Sequence, residues 1–351
     1  MKLPDLCDPP ATPPPTDFFD MLQALPYWQS SLLAHLDCVQ SVDRLKQLLE
    51  SGEKLQLNLV SDGGAKGDLG SFGWELAIGR TILWTCMGPT FGLDPGSYRA
   101  ESYGMLSVML FLDHYFRFFA VQVSDNIEHL FYCDNQGLIN RISFAMNRSW
   151  DNPNHCLSSE YDLESGIVDI LHRLPVKFSF KHVKGHQDED NAVDDLPWEA
   201  QMNCHADILA TDYLDNWSEP SKLVPFIPAS KASIAIDRIT ITRNLARRLR
   251  QAASSPKLQE HIMEKNGWND WIFQSINWDV QAKALSTLAY TQELFVTKWA
   301  HNLLPTRRHM YRIKQAESDL CPSCLETIET CLLYTSPSPR DLSTSRMPSS
   351  A

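Results

Sequence analysis

The sequence predicts an α/β fold in which helices flank a mixed sheet. Residues 55–61 alternate in polarity as a strand does, and two more strand-like stretches follow Gly64. From Ser97 the apolar residues recur at helical spacing, and strand and helix patterns then alternate as far as Tyr213. We therefore expect three strands, a helix, a strand, two helices, a strand and a closing helix.

A leader precedes the predicted sheet. Residues 1–16 are rich in proline and are expected to be extended, whereas residues 17–36 and 42–49 have the apolar spacing of short helices. We place the leader at 1–53 and the main domain at 54–215.

Each element of the main domain has its own pattern. The stretches "SFGWELAIG" and "TILWTCMG" after Gly63-Gly64 complete an antiparallel meander. Ser97 is the expected N-cap of a long helix that turns one stripe to the sheet, namely Glu101, Met105, Val108 and Leu112. The remaining elements are a strand ending at Asp134, helices at 136–146 and 161–174, a strand at 176–183 and a helix at 198–213.

Composition limits the class of protein. The chain of 351 residues is 43% apolar, which suits a globular core, and it has no run of about 18 apolar residues that would cross a membrane. The N-terminus is too acidic and proline-rich for a secretory signal, and nine irregularly spaced cysteines do not indicate a disulfide framework. We expect an intracellular protein, nuclear or cytoplasmic, with reduced cysteines.

Charge is distributed unevenly along the chain. The net charge is −12, with −17 in residues 1–215 and +4 in residues 216–330. The basic C-terminal region could contact a phosphate backbone, although a solvated helix face is the more common explanation of such residues. The candidate contacts there are Arg243, Arg247, Arg250, Arg307 and Arg308.

Four acidic residues are placed where one metal site could form. Asp62 and Asp134 lie at two strand ends, Glu101 lies in the first turn of a helix, and Asp207 lies on the last helix. Taken singly, each has an ordinary interpretation as a turn former, a cap or a surface charge. Together they would repel one another unless a cation neutralised them, and hard oxygen ligands favour Mg²⁺, with Mn²⁺ as an alternative, over zinc.

These motifs identify a family resemblance. Asp62 with Gly63-Gly64, and then "YRAESYGML", "CDNQGL", "HVKGHQD" and "NCHADILA", follow the order of the motifs in type 1 ribonuclease H domains. The chain resembles the form carried by retroelement (retrotransposon) reverse transcriptases. The resemblance implies a ribonuclease H-like fold with a five-stranded mixed sheet, and a helical extension follows it here.

The resemblance also implies an activity, cleavage of the RNA strand of an RNA–DNA hybrid by two-metal phosphodiester hydrolysis that leaves 5′ phosphates. Asp62, Glu101, Asp134 and Asp207 would hold the ions, and His186 would assist proton transfer or product release. Asn135 is a further candidate contact to nucleic acid. The implied partners are the hybrid and an upstream reverse transcriptase domain.

Two alternatives remain open at this stage. The interval between His186 and Asp207 is long and acidic, which would suit a ribonuclease H-like module that binds nucleic acid without cutting it. A DDE-type integrase or transposase would share the fold and the acidic site.

The C-terminal region, 216–330, ends on an incomplete motif. Trp268, Trp271, Trp278 and Trp299 predict a small helical core there, and Cys321 and Cys324 in "CPSC" have the spacing of half a zinc knuckle. The segment 331–351, beginning "CLLYTSPSPRD", resembles a translated sequencing adapter, and we expect it to be a disordered artefact tail. No structural zinc is therefore expected in this chain, and the natural protein is expected to continue beyond Thr330.

Overall fold

The computed structural model describes residues 15–92, 95–147, 153–189, 191–216, 223–301 and 303–330. The chain divides into two compact units, Met1–Ser255 and Pro256–Ala351. The domain boundaries drawn at residues 54 and 215 remain a prediction. The expectations for 1–14 and for the tail 331–351 lie outside the described residues.

The described part of the first unit is built around one large sheet. Its strands are β1 (His35–Cys38), β2 (Leu55–Lys66), β3 (Leu69–Ile78), β4 (Thr81–Pro89), β5 (Ile127–Cys133) and β6 (Ser179–His182). Its helices are α1 (Phe18–Gln23), α2 (Tyr27–Leu32), α3 (Arg44–Glu50), α4 (Ser97–Phe118), α5 (Gln136–Met146), α6 (Tyr161–Arg173) and α7 (Trp198–Asn216). A small hairpin follows, formed by β7 (Ala235–Ile236) and β8 (Ile239–Thr240).

The sheet is mixed, as predicted. Its strand order is β1-β4-β3-β2-β5-β6, in which β2 runs antiparallel to β3 and parallel to β5. This architecture and the order of its elements confirm the predicted α/β fold class. β2 is the strand at which the antiparallel and parallel halves meet, and it is paired on both sides as far as Val60, beyond which it pairs with β3 alone.

The prediction of five strands was wrong, because β1 adds a sixth. Residues up to Leu36 have helical spacing, yet α2 ends at Leu32 and His35–Cys38 pairs antiparallel with β4, with His35 opposite Met87. Without β1, β4 would be an edge strand with unpaired backbone N–H and C=O groups. A short segment of almost any sequence can form hydrogen bonds with those groups.

Helix α4 is the main support of the sheet. Its N-cap is Gly96 rather than the predicted Ser97, which is the first helical residue. Glu101, Met105, Val108 and Leu112 are all buried, and so are most other residues of α4 from Arg99 to Phe116, so the helix is covered on more sides than the one facing the sheet.

The leader is integrated into the core of the first unit. Leu45 and Leu49 of α3 are fully buried. The Tyr115 hydroxyl at the end of α4 donates a hydrogen bond to the Val42 carbonyl at 2.6 Å, and Lys46 Nζ donates to the Phe119 carbonyl at 2.9 Å. The leader therefore anchors the C-terminal end of the helix whose first turn carries Glu101.

The second unit is helical but has little core. α8 (Leu245–Asn266) leads into it, followed by α9 (Asp270–Ser275), α10 (Trp278–Ser286), α11 (Tyr290–Ala300) and α12 (Arg307–Arg312). Trp271 is 76% exposed, and only Leu304 and Thr306 are buried among the residues described there. The small core predicted from the tryptophans is thus not found, and Trp278 packs locally on Phe273, with ring centroids 4.8 Å apart.

No helix in the described part of the chain is long and apolar enough to span a membrane.

Leu49→Ala tests whether the leader stabilises the fold. We expect the free energy of unfolding to fall by about 2–5 kcal/mol, because the change leaves a cavity under α3. Denaturant unfolding of the whole chain measures this. Gln47→Ala, on the exposed face of the same helix, is the control, and equal midpoints for the two variants would contradict the integration of the leader.

Candidate metal centre

Strand register brings Asp62 and Asp134 together. In the parallel pair of β2 and β5, Val60 lies opposite Tyr132. Asp62 and Asp134 are each two residues further on, so they lie side by side on neighbouring chains and on the same face. Asp62 is only 7% exposed, so its charge is held away from water.

A glycine allows α4 to approach this point. A Cβ on Gly63 would lie 2.3 Å from the Glu101 amide nitrogen and 2.5 Å from the Ala100 carbonyl carbon. The first turn of α4 therefore lies directly on the backbone of β2. This contact places the buried Glu101 near Asp62 and Asp134.

A second glycine allows α7 to approach the opposite face of the sheet. A Cβ on Gly73, which pairs with Asp62, would lie 2.3 Å from the Ala206 carbonyl oxygen. Asn203, one turn before Asp207 on the same helix, donates from Nδ2 to Asp62 Oδ2 at 3.3 Å. The half-buried Asp207 is thus fixed at the same end of the sheet.

Two neighbouring side chains orient Glu101. Asn135 Nδ2 donates to Glu101 Oε1 at 3.3 Å, and the Cys133 thiol donates to Oε2 at 3.5 Å. Ligand atoms of Glu101, Cys133 and Asp134 all lie within 4.8 Å of one another. Asp62 and Asp207 lie outside that tight group, but their charges interact with Asp134.

The carboxylates perturb each other's ionisation. Burial raises the pKa of Asp62 to about 7, and the charges of Asp134 and Asp207 add to the rise, against the hydrogen bond from the Gly63 amide. Burial and the charge of Asp134 raise the pKa of Glu101 to about 8. Burial also raises the pKa of Asp207. Without a cation, the site therefore retains protons near neutral pH.

His186 lies in the loop after β6, which folds back over Asp134. A Cβ on Gly185 would lie 2.6 Å from Asp134 Oδ2, and His182 Nε2 lies 3.0 Å from the Asp134 carbonyl oxygen. The exposed His186 has a φ of 51°. Its charge lowers the pKa of both Asp62 and Asp207, which places it at the rim of the site.

The acidic segment after His186 also acts on the site. The charge of Asp188 raises the pKa of Asp207, in opposition to His186. A carboxylate at the rim therefore adds to the repulsion that a bound cation would have to offset.

The predicted nucleic-acid contacts are distributed over both units. Asn135 caps α5 by accepting a hydrogen bond from the Leu138 amide, in addition to its contact with Glu101. Arg243 is half-buried and its charge acts on Glu160. Arg247 and Arg250 are exposed in the first unit, and Arg307 and Arg308 are exposed in the second. Their roles stay predictions.

Sequence reasoning missed two residues of the site. Asn203 was seen only as part of a motif, although its spacing of four from Asp207 places both on one face of a helix. Cys133 is the other, and the chain offers no local signal that its thiol reaches Glu101.

The donor set suits a hard divalent cation. Four carboxylates supply oxygen atoms at one end of the sheet. Asp134 Oδ1 is buried and has no hydrogen-bond partner among the described residues, as expected of an oxygen that serves as a metal ligand. Asp62, Glu101, Asp134 and Asp207 are the residues that would hold such ions.

Comparisons with known proteins give a weak likeness of fold. No family model matches the chain and no curated protein matches it. The RNase H1 of Halobacterium salinarum is 16% identical, with 46% of this chain and 98% of that one covered and a TM-score of 0.30. An RNase H1 from compost, solved with an RNA/DNA hybrid, is 14% identical, with 45% and 96% covered and a TM-score of 0.33. The N-terminal RNase H domain of a Mycobacterium tuberculosis protein is 15% identical, with 46% and 94% covered and a TM-score of 0.30. At these values the matches carry no argument about activity.

Gly63→Ala tests the close approach of α4 to β2. The added methyl meets the backbone of Ala100 and Glu101, which cannot rotate away, so we expect a loss of about 1–3 kcal/mol in the free energy of unfolding. Gly64→Ala is the matched control, because its Cβ first meets the end of the Leu214 side chain, at 2.9 Å. Chemical denaturation of both variants measures the difference, and equal losses would contradict this packing.

Asp62→Asn tests how much the ionisation of the buried Asp62 carboxyl destabilises the fold. The pKa of Asp62 lies at about 7 in the folded chain against an ordinary 3.8, so the cost of ionising it develops between about pH 4 and 7. The metal-free variant should gain stability over the wild type across that window, on the order of 2–4 kcal/mol at pH 8 and nothing below pH 4.

Thermal unfolding in EDTA across this pH range measures the gain. The exposed Asp125→Asn variant is the control and should show no such trend. A difference between Asp62→Asn and wild type that does not change with pH would disprove the interpretation.

Proposed function

We propose that the chain is a metal-dependent endonuclease that cleaves the RNA strand of RNA–DNA hybrids. One observation carries the proposal: the four carboxylates of the ribonuclease H-like motifs come from separate elements and converge at one end of the sheet. Asp62 and Asp134 are adjacent through strand register, and Glu101 and Asp207 are brought to them by α4 and α7.

In this proposal the carboxylates bind the metal ions and two asparagines orient the carboxylates. Asp62, Glu101, Asp134 and Asp207 would hold Mg²⁺ or Mn²⁺. Divalent cations supply, when bound, activation of water and stabilisation of the leaving oxygen of a phosphodiester. Asn135 fixes one oxygen of Glu101, and Asn203 fixes one oxygen of Asp62, so both carboxylates are oriented before a substrate arrives.

His186 is suited to proton transfer at the edge of the site. It is exposed, lies in a loop and is close enough to Asp62 and Asp207 to change their ionisation. An imidazole there could exchange a proton between a reacting phosphate oxygen and water.

Binding of the hybrid would use charge outside the acidic site. Arg247 and Arg250 lie exposed near the start of α8, and Arg307 and Arg308 are exposed in the second unit. Such side chains neutralise backbone phosphates. The natural context that we propose is a retroelement polyprotein, with a reverse transcriptase domain upstream that would supply the hybrid.

A second candidate is a module that binds the hybrid and cuts it weakly or not at all. The charge of Asp188 raises the pKa of Asp207 and would repel an approaching phosphate as well. Binding without metal-dependent cleavage would favour this candidate.

Cleavage of a labelled RNA–DNA hybrid by the full chain tests the proposal. We expect cutting of the RNA strand alone in Mg²⁺ or Mn²⁺ and none in EDTA. Asp134→Asn and Asp207→Asn should each lower the rate by at least about 100-fold, since even residues that only orient metal ligands cost 10–100-fold.

Asp212→Asn is the matched control, because Asp212 is exposed on the same helix as Asp207. Its rate should equal that of the wild type. Cleavage that survives EDTA, or that is the same in Asp134→Asn and Asp212→Asn, would disprove the proposed site.

A further inference from the structure

Cys133 places a sulfur atom inside an otherwise oxygen-lined site. We propose that Glu101, Cys133 and Asp134 form a three-ligand site for a thiophilic divalent ion such as Zn²⁺, and that this ion competes there with the hard cation. The inhibitory part of the proposal rests on the proposed nuclease activity. The binding part is independent of it.

The distances fit a zinc coordination sphere. Zinc–sulfur bonds of about 2.3 Å and zinc–oxygen bonds of about 2.1 Å at a tetrahedral angle put the two ligand atoms about 3.6 Å apart. Cys133 Sγ and Glu101 Oε2 are 3.5 Å apart. The third ligand, from Asp134, lies within 4.8 Å of both, so a small inward movement completes the set.

The ligand side chains are also held in place, and one oxygen atom among them lacks a hydrogen bond. Glu101 is 5% exposed and is fixed by Asn135 through its other oxygen, Oε1. The Asn135 amide N–H donates to Cys133 Sγ at 3.3 Å, a contact that would stabilise a sulfur ligand carrying negative charge. Asp134 Oδ1 is buried without a hydrogen-bond partner among the described residues. Three protein ligands with a fourth position open is an arrangement that zinc adopts in proteins.

Another buried strand cysteine shows that this environment is specific. Cys86 of β4 is also buried, but its thiol lies 3.6 Å from the backbone carbonyls of Leu32 and Met87. Those neighbours are uncharged and already belong to the backbone framework. Cys133 differs because its thiol faces a carboxylate of the metal centre.

The consequence is that two kinds of metal ion would compete for the same carboxylate ligands. A thiophilic ion bound to Cys133 would displace the thiol proton to solvent and engage Glu101 and Asp134 as well. Mg²⁺ has little affinity for sulfur and needs the same two carboxylates. Occupancy by the softer ion therefore removes ligands from the hard one, and Zn²⁺ should inhibit Mg²⁺-dependent cleavage.

Cadmium binding tests the site directly, because Cd²⁺ bonded to a thiolate absorbs in the ultraviolet. The full metal-free chain is titrated with Cd²⁺ as wild type, Cys133→Ser and Cys86→Ser. Absorbance from other cysteines, including Cys321 and Cys324, is common to all three and cancels in the differences. We expect Cys133→Ser to lack a thiolate–cadmium band that Cys86→Ser retains, with circular dichroism showing that both are folded. Identical spectra for the two variants would overturn the site.

Inhibition tests the competition. The zinc concentration that halves the Mg²⁺-supported rate, measured against each variant's own uninhibited rate, should be at least about tenfold higher for Cys133→Ser than for Cys86→Ser. Equal values would overturn the inhibitory role. If the chain cleaves no hybrid, the proposed function fails, and the cadmium titration alone decides whether the thiophilic site exists.

Discussion

The candidate site depends on one packing constraint, the contact of two helices with the backbone of one short stretch of sheet. α4 lies on Gly63 and α7 lies on Gly73, and neither position has room for a Cβ. Because the helices touch opposite faces, side chains from both can reach the part of β2 around Asp62. Parallel pairing with β5 adds Asp134 next to Asp62. Larger residues at the two glycines would move Glu101 and Asp207 outward, and the carboxylates would become separate surface charges.

This packing forces like charges together, and the surrounding structure has to hold them there. Burial and mutual repulsion raise the pKa of Asp62 to about 7 and that of Glu101 to about 8. The stability that offsets this repulsion comes from apolar packing between α4 and the sheet, where Phe111 of α4 lies against Trp84 of β4 with ring centroids 4.9 Å apart. The leader also contributes, because it fixes the far end of α4. The core thus supports a site that is unfavourable by itself, as is common where function requires strain. A divalent cation would relieve that repulsion.

The sequence predicted those parts of the structure that depend on local pattern. The main strands and helices follow from apolar spacing, and Asp134 could be placed because it follows the end of β5. The prediction that Asp62 ends a strand was wrong, because β2 continues to Lys66 through its pairing with β3. β1 could not be predicted, since residues 35–38 become a strand only through the open edge of β4. The tryptophans of the second unit suggested a core, but Leu304 is the only buried apolar side chain among the residues described there, and nothing local distinguishes the two outcomes. Which members of the site touch, and how closely, depends on tertiary packing at two glycines.

Cys133 illustrates how a core position becomes part of a site. Strand alternation puts its side chain on the same face as Phe131, toward α4. In the middle of a strand such a cysteine would meet only apolar side chains. At the end of β5 it meets the first turn of α4, and the residue that this turn presents is Glu101. The metal preference that we propose for the centre is therefore not determined by its four carboxylates alone. It also depends on the core residue that precedes Asp134, where serine or alanine would leave only oxygen ligands and cysteine adds a soft donor.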